Sequence, residues 1–115
     1  MPLQAGDIVA IDFPGAKGVK RRPAIVVSSS TYHRHRPDVI VGIVTSQIQQ
    51  AVTPTDYLLK DWAEEGLRCP SAFRAFLATL PATAATFIGH CSEQDWQGVL
   101  SCLRQAIAGW GEADE

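Results

Sequence analysis

The chain has 115 residues, enough for one domain that buries a core without metal or disulfide staples. Apolar residues make up 46% and charged residues 19%, which excludes a disordered chain; the longest apolar runs, AIVV and VIVGIV, fall far short of the roughly 20 residues of a membrane helix. The net charge of −2 hides an asymmetry: Lys17, Lys20, Arg21, Arg22, Arg34 and Arg36 against Asp7 and Asp12 give residues 1–37 a balance of +4, so an anionic partner belongs there.

The opening MPLQAGDIVAIDFPG lacks a basic stretch followed by an apolar one, so no signal peptide and a cytoplasmic location are expected. DIVAIDF (7–13) alternates apolar and polar residues as a half-buried strand does. PGAKGVKRR (14–22) has no periodicity and is expected to be a loop. PAIVVSS (23–29) is a β-branched strand with its proline first, where the missing N–H is tolerated. A polar connector (30–38) leads to a third strand, VIVGIVT (39–45).

DYLLK (56–60) is expected to be a short strand, and DWAEEG (61–66) a turn with Asp61 as N-cap and Gly66 as C-cap. SAFRAFLATL (71–80) and TFIGH (86–90) complete the sheet. One helix is expected over about 93–108: Trp96, Leu100, Leu103 and Ile107 share a face with Val99 beside them, and Ser92 with Asp95 suggests a capping box. GWGEADE is expected to fray. Many short strands and one terminal helix predict a mainly β domain, a small twisted barrel or sheet capped by the helix.

Cys69, Cys91 and Cys102 are odd in number and widely spaced, so they read as reduced thiols in apolar surroundings rather than a disulfide or zinc framework. No phosphate loop, metal cluster or nucleophile elbow is visible, and no cofactor is expected. His33 and His35, in HRH, read as a solvated basic loop. Lys20, Arg21 and Arg22 can converge on one phosphate, Arg bidentately. Equally, they can guard a sheet edge against self-pairing. Thr45, Ser46 and Gln47 gather hydrogen-bonding groups where an apolar run stops, to contact a phosphate or a base edge, or simply to turn the chain. Arg74 is a lone cation in an apolar run, so its guanidinium snorkels, meets an internal carboxylate or serves a site. Such groups on one face suit cleavage of RNA by its own 2′-OH, which needs a base, cations for the phosphorane and an acid for the 5′-oxygen.

GDIVAIDF, KRRPAIVVSS and VGIVTSQIQ, in that order, resemble the start of the MazF/PemK family of toxin endoribonucleases; TPTDYLL…GLRCPSAFRAFLATL and the last helix resemble its second half. The resemblance covers about residues 5–108. It implies a single PemK/CcdB-like domain, an SH3-like β-barrel (about 5–90) with a C-terminal α-helix, forming a homodimer. It further implies metal-independent cutting of single-stranded RNA to 2′,3′-cyclic phosphate and 5′-hydroxyl ends, and inhibition by a cognate antitoxin laid across the groove. Under it, Arg22, Thr45 and Arg74 are catalytic, and Lys17, Lys20, Arg21, His33, Ser46 and Gln47 contact RNA. Many members have an acid two residues after the Arg; here Ala75 and Phe76 follow Arg74, and Lys20 stands near where others have a carboxylate or glutamine. His33, His35 and Asp12 remain as substitutes for a base, Asp12 with the plainer structural reading. Two other functions stay open: a relative that binds nucleic acid or its partner without cutting, and a toxin on the same barrel acting on a protein such as gyrase.

Overall fold

The apolar runs become the centre of one sheet. A computed structural model describes residues 2–15, 18–107 and 109. Six strands, β1 (Asp7–Gly15), β2 (Gly18–Val26), β3 (Asp38–Thr45), β4 (Asp56–Leu58), β5 (Ala72–Pro81) and β6 (Thr86–His90), pair antiparallel in the order β4-β5-β3-β2-β1-β6. Helix α1 (Ser30–His35) joins β2 to β3, and α2 (Glu93–Ala106) closes the fold. The edge strands β4 and β6 do not pair with each other, so the sheet is open and the expected barrel describes it only loosely, while the mainly β domain with its terminal helix is as expected.

The run AIVV is unbroken because the curled sheet buries both faces. Ile8, Ile25, Val44 and Phe73 pack with Leu59, Cys91, Val99 and Cys102 beneath α2. Their strand neighbours Val9, Ile11, Phe13, Ala24, Val26, Val39 and Val41 form a second core, bordered by Leu3, Leu80, Ala82 and Ala85. Period-two alternation thus sends the residues of AIVV by turns into one core and the other: Ile25 and Val27 to the first, Ala24 and Val26 to the second.

Of residues 14–22, expected to be a loop, Pro14 and Gly15 extend β1 and Gly18 to Arg22 extend β2 as paired strands instead, with Phe13 opposite Lys20 and Gly15 opposite Gly18; the two residues between them lie outside the described residues. Their mostly exposed side chains carry no apolar alternation, so hydrophobic pattern does not mark the strand there. The connector at 30–38 contains α1, whose N-terminal Ser29 Oγ accepts the Tyr32 N–H at 3.2 Å. It buries no residue, which is why hydrophobic periodicity missed it. Helix α2 ends at Ala106; Ala108 and most of the tail lie outside the described residues.

The expected capping box is only half formed. Ser92 Oγ accepts the Asp95 N–H at 3.1 Å, but the Asp95 carboxylate is wholly buried and turned away. It accepts from Tyr57 Oη (2.9 Å) and from the N–H groups of Lys60 and Asp61 (3.0 Å each), tying α2 to the segment after β4. Gly98 permits this contact, because a Cβ there would overlap the Tyr57 ring. Glu65 Oε2, from the turn at 61–66, takes the Ser92 N–H at 2.7 Å instead.

Glu65 Oε1 is buried without a hydrogen-bond partner, and burial, opposed by the Ser92 N–H and reinforced by the nearby Asp95 carboxylate, pushes its carboxyl up to about 7. A proton on Glu65 can be donated to Asp95, which removes the orphaned acceptor. The ordinary value is 4.5, so the folded state binds the extra proton between about 4.5 and about 7. That stability is present at low pH and lost as the pH rises through about 7. Melting should therefore fall by several degrees between pH 5 and 8, on the order of 1–3 kcal/mol. Glu65→Gln should flatten this slope; a variant with the wild-type slope would exclude the Glu65 proton as its source.

Candidate functional site

Pro23 has no N–H to give, and the described β2–β3 register ends at Ala24 opposite Ile43. Continued two residues, that register brings Arg22 level with Thr45, where the apolar runs of both strands give way to polar side chains. On the other side of β3, the β5 pairing shifts: Gly42 faces Leu77 and Val44 faces Phe73. Three residues of β5, Arg74, Ala75 and Phe76, thus stand against Ile43 alone. Such a bulge re-aims side chains, and all three line a groove of about 540 Å³ with Arg22, Ile43, Thr45, Ser46, Gln47, Thr55 and Asp56.

A second groove of about 570 Å³ lies alongside. Arg22, Thr45 and Ser46 border both and form the divide between them. Arg21, Arg68 and Cys69 contribute to the second. Among the described residues, four that bear guanidinium groups therefore line the two grooves against one carboxylate, that of Asp56.

Asp56 decides the state of Arg74. Its side chain is only 2% exposed, and its carboxylate accepts from Arg74 Nε (3.1 Å), the Thr53 N–H (3.1 Å) and Thr53 Oγ1 (2.9 Å). Burial works to raise its pKa, but the Thr53 donors and the Arg74 guanidinium outweigh that and hold it below the ordinary carboxylate value. With Nε fixed, Arg74 keeps both terminal nitrogens without hydrogen-bond partners among the described residues. Arg22 is half-buried and likewise has no side-chain partner among them. Thr45 Oγ1 accepts the Gln47 N–H at 3.1 Å, which leaves its own O–H to donate. The site thus offers two unpaired guanidinium faces and a hydroxyl, the donor set for a phosphodiester.

Of the residues expected from the sequence, Arg22, Thr45, Ser46, Gln47 and Arg74 come together in one groove, and Arg21 lines the second. Arg21 also bonds Asp12 (3.4 Å) and Thr86. Lys20 is exposed on β2 and borders neither groove. Neither does His33, which sits on α1 with Nε2 2.6 Å from Ser28 Oγ, while that hydroxyl accepts the Ile40 N–H. Its imidazole braces the β2–β3 connection, four residues and more beyond Arg22 along the chain. Lys17 lies outside the described residues. Asp12, exposed and paired with Arg21, has the structural role.

Sequence reasoning missed Asp56, Arg68 and Phe76. The signal for Asp56 was Arg74 itself, a cation in an apolar strand that needs an anion. It also missed a carboxylate cluster: Asp61, Glu65 and Asp95 each bring one oxygen within 4.8 Å of the others. None of the three borders either groove, and two of them hold the start of α2 and the segment after β4 through the bonds described above. Cys91 and Cys102 are buried as expected, the Cys91 thiol pushed up to about 12 by burial and nearby carboxylates; Cys69 is exposed instead.

Comparison with known proteins accords with this geometry. The chain matches the family model of PemK-like, MazF-like toxins of type II toxin–antitoxin systems over residues 4–107. No curated protein matches it in sequence. Among solved structures it is similar to a mycobacterial endoribonuclease in complex with its cognate antitoxin (TM-score 0.75, 20% identity, 92% of this chain and 94% of that one). MazF from Deinococcus radiodurans is similar as well (TM-score 0.72, 21% identity, 92% and 96%), as is the MazE–MazF complex of the same organism (0.69, 21%, 92% and 95%). The match to the family model spans nearly every element that builds the grooves, and the chain belongs to the PemK-like, MazF-like toxins of type II toxin–antitoxin systems, a family of endoribonucleases.

Proposed function

We propose that this chain cuts single-stranded RNA by attack of the 2′-OH on the adjacent phosphate. The 2′-oxygen–phosphorus bond forms and the phosphorus–5′-oxygen bond breaks. The 2′-proton leaves, the 5′-oxygen gains one, and a 2′,3′-cyclic phosphate and a 5′-hydroxyl remain. The observation that carries this reading is the convergence of Arg22, Thr45 and Arg74 on one groove. Arg22 and Arg74 present positive charge to the phosphorane, and Thr45 Oγ1 donates to a non-bridging oxygen. Asp56, ionised and saturated with donors, positions Arg74 rather than taking a proton. Fixed guanidinium charge does here what a metal ion does elsewhere, so the reaction runs without one. Ser46 and Gln47, exposed at the rim, contact the RNA beside the cut.

By likeness to the antitoxin-bound structures, a cognate antitoxin is the natural inhibitor, covering the same grooves on a homodimer. The decisive experiment incubates purified protein with a long single-stranded RNA in EDTA and analyses the ends. Discrete fragments with cyclic-phosphate and 5′-hydroxyl ends are expected. A second reading rests on Asp56 being the sole carboxylate bordering either groove among the described residues, and it is already engaged. Under that reading the protein binds RNA without cutting, and the RNA stays intact while shifting on a gel.

A further inference from the structure

Phe76 is 62% exposed, although Phe73, three residues earlier on the same strand, is fully buried. Leaving most of a phenyl ring in water forgoes the gain of burying it. The bulge at Arg74–Phe76 turns that stretch of β5 toward the groove, and the pairing of β4 with β5 stops at Arg74. Beyond that point the outer edge of β5 has no strand beside it among the described residues. The ring borders the groove of Arg22, Thr45 and Arg74 and is left mostly uncovered.

We infer that Phe76 is a stacking platform for one unpaired base next to the phosphate held by Arg22 and Arg74. The inference rests on the proposed RNA cleavage and names what the site selects. A phenyl face beside two guanidiniums is the pairing that single-stranded nucleic acid requires: charge for the backbone, a π-surface for a base. Bases in a duplex already stack on one another and cannot offer a face to the ring. Phe76 thus makes the site selective for single strands, and it tolerates sequence because every base has a π-face.

The test measures binding of a short single-stranded 2′-O-methyl RNA, which lacks the attacking hydroxyl and cannot be cut, by fluorescence anisotropy. Phe76→Ala should weaken binding about tenfold or more, Phe76→Trp should keep it, and the duplex of the same sequence should bind weakly whichever residue stands at 76. On cleavable RNA, Phe76→Ala should raise KM with little change in kcat. If Phe76→Ala binds as tightly as the wild type while the wild type cuts RNA, the stacking role is wrong and the nuclease reading stands. If the wild type neither binds nor cuts RNA, both fall. Sedimentation of Phe76→Ala as a monomer, from a dimeric wild type, would make Phe76 an interface residue and overturn the inference too.

Discussion

Arg22→Ala is expected to abolish cleavage, lowering the rate by at least about 10²–10³-fold, while melting stays within about 4 °C of the wild type. The large loss follows from position. Arg22 is one of three residues that border both grooves, and its guanidinium has no partner of its own to satisfy among the described residues. Its whole donor array is available to the phosphate, and no neighbouring cation occupies the same divide. Little stability goes with it, because Ala24, Ile25 and Val26 supply the buried part of β2. Arg22→Lys should recover only part of the rate, since an ammonium keeps the charge but loses the two-pronged geometry. Near-normal cutting by Arg22→Ala with unchanged melting would move the reaction centre elsewhere.

How much of this was legible depended on whether a residue's role is local. The central strands were readable because the runs around Ile8, Ile25 and Val41 must be buried, and period two or an unbroken run says so. The outer part of the β1–β2 pairing was not, since Val19, Lys20 and Arg21 are exposed and no apolar alternation marks them as strand. Asp95 shows the converse failure. Its i+3 spacing from Ser92 fits a capping box, yet three donors from Tyr57, Lys60 and Asp61, more than thirty residues away, claim its carboxylate. Arg22, Thr45 and Arg74 could be named because each is a polar residue at the end of, or inside, an apolar run. What no local pattern carries is the register of β4 on β5, which places Asp56 opposite Arg74. The acid that the resemblance leads one to expect two residues after Arg74 is replaced by Phe76, and the sheet brings a carboxylate to Arg74 from the adjoining strand instead.

That substitution makes Asp56 the second position of large effect. Asp56→Asn should lower kcat about 10–100-fold with little change in KM, a loss the size of a misplaced charge stabiliser rather than a lost binding contact. Asparagine still accepts from Thr53, so the turn before β4 survives. What disappears is the charge that fixes Arg74 Nε and aims its terminal nitrogens at the groove. Folding should weaken by about 1–3 kcal/mol at neutral pH, the worth of hydrogen bonds to a buried ionised group. The pH dependence has a definite sign. The folded-state value lies below 3.8, so this stabilisation is present above the unfolded value and lost as the pH falls through the folded one. The melting gap between wild type and Asp56→Asn should therefore narrow below about pH 4. The double variant Asp56→Asn/Arg74→Ala separates the possible roles of the carboxylate. If Asp56 acts only through Arg74, the double variant cuts at the rate of Arg74→Ala alone. A further slowing would mean that the carboxylate handles a proton itself, and the one acid bordering the grooves among the described residues would then be the missing base.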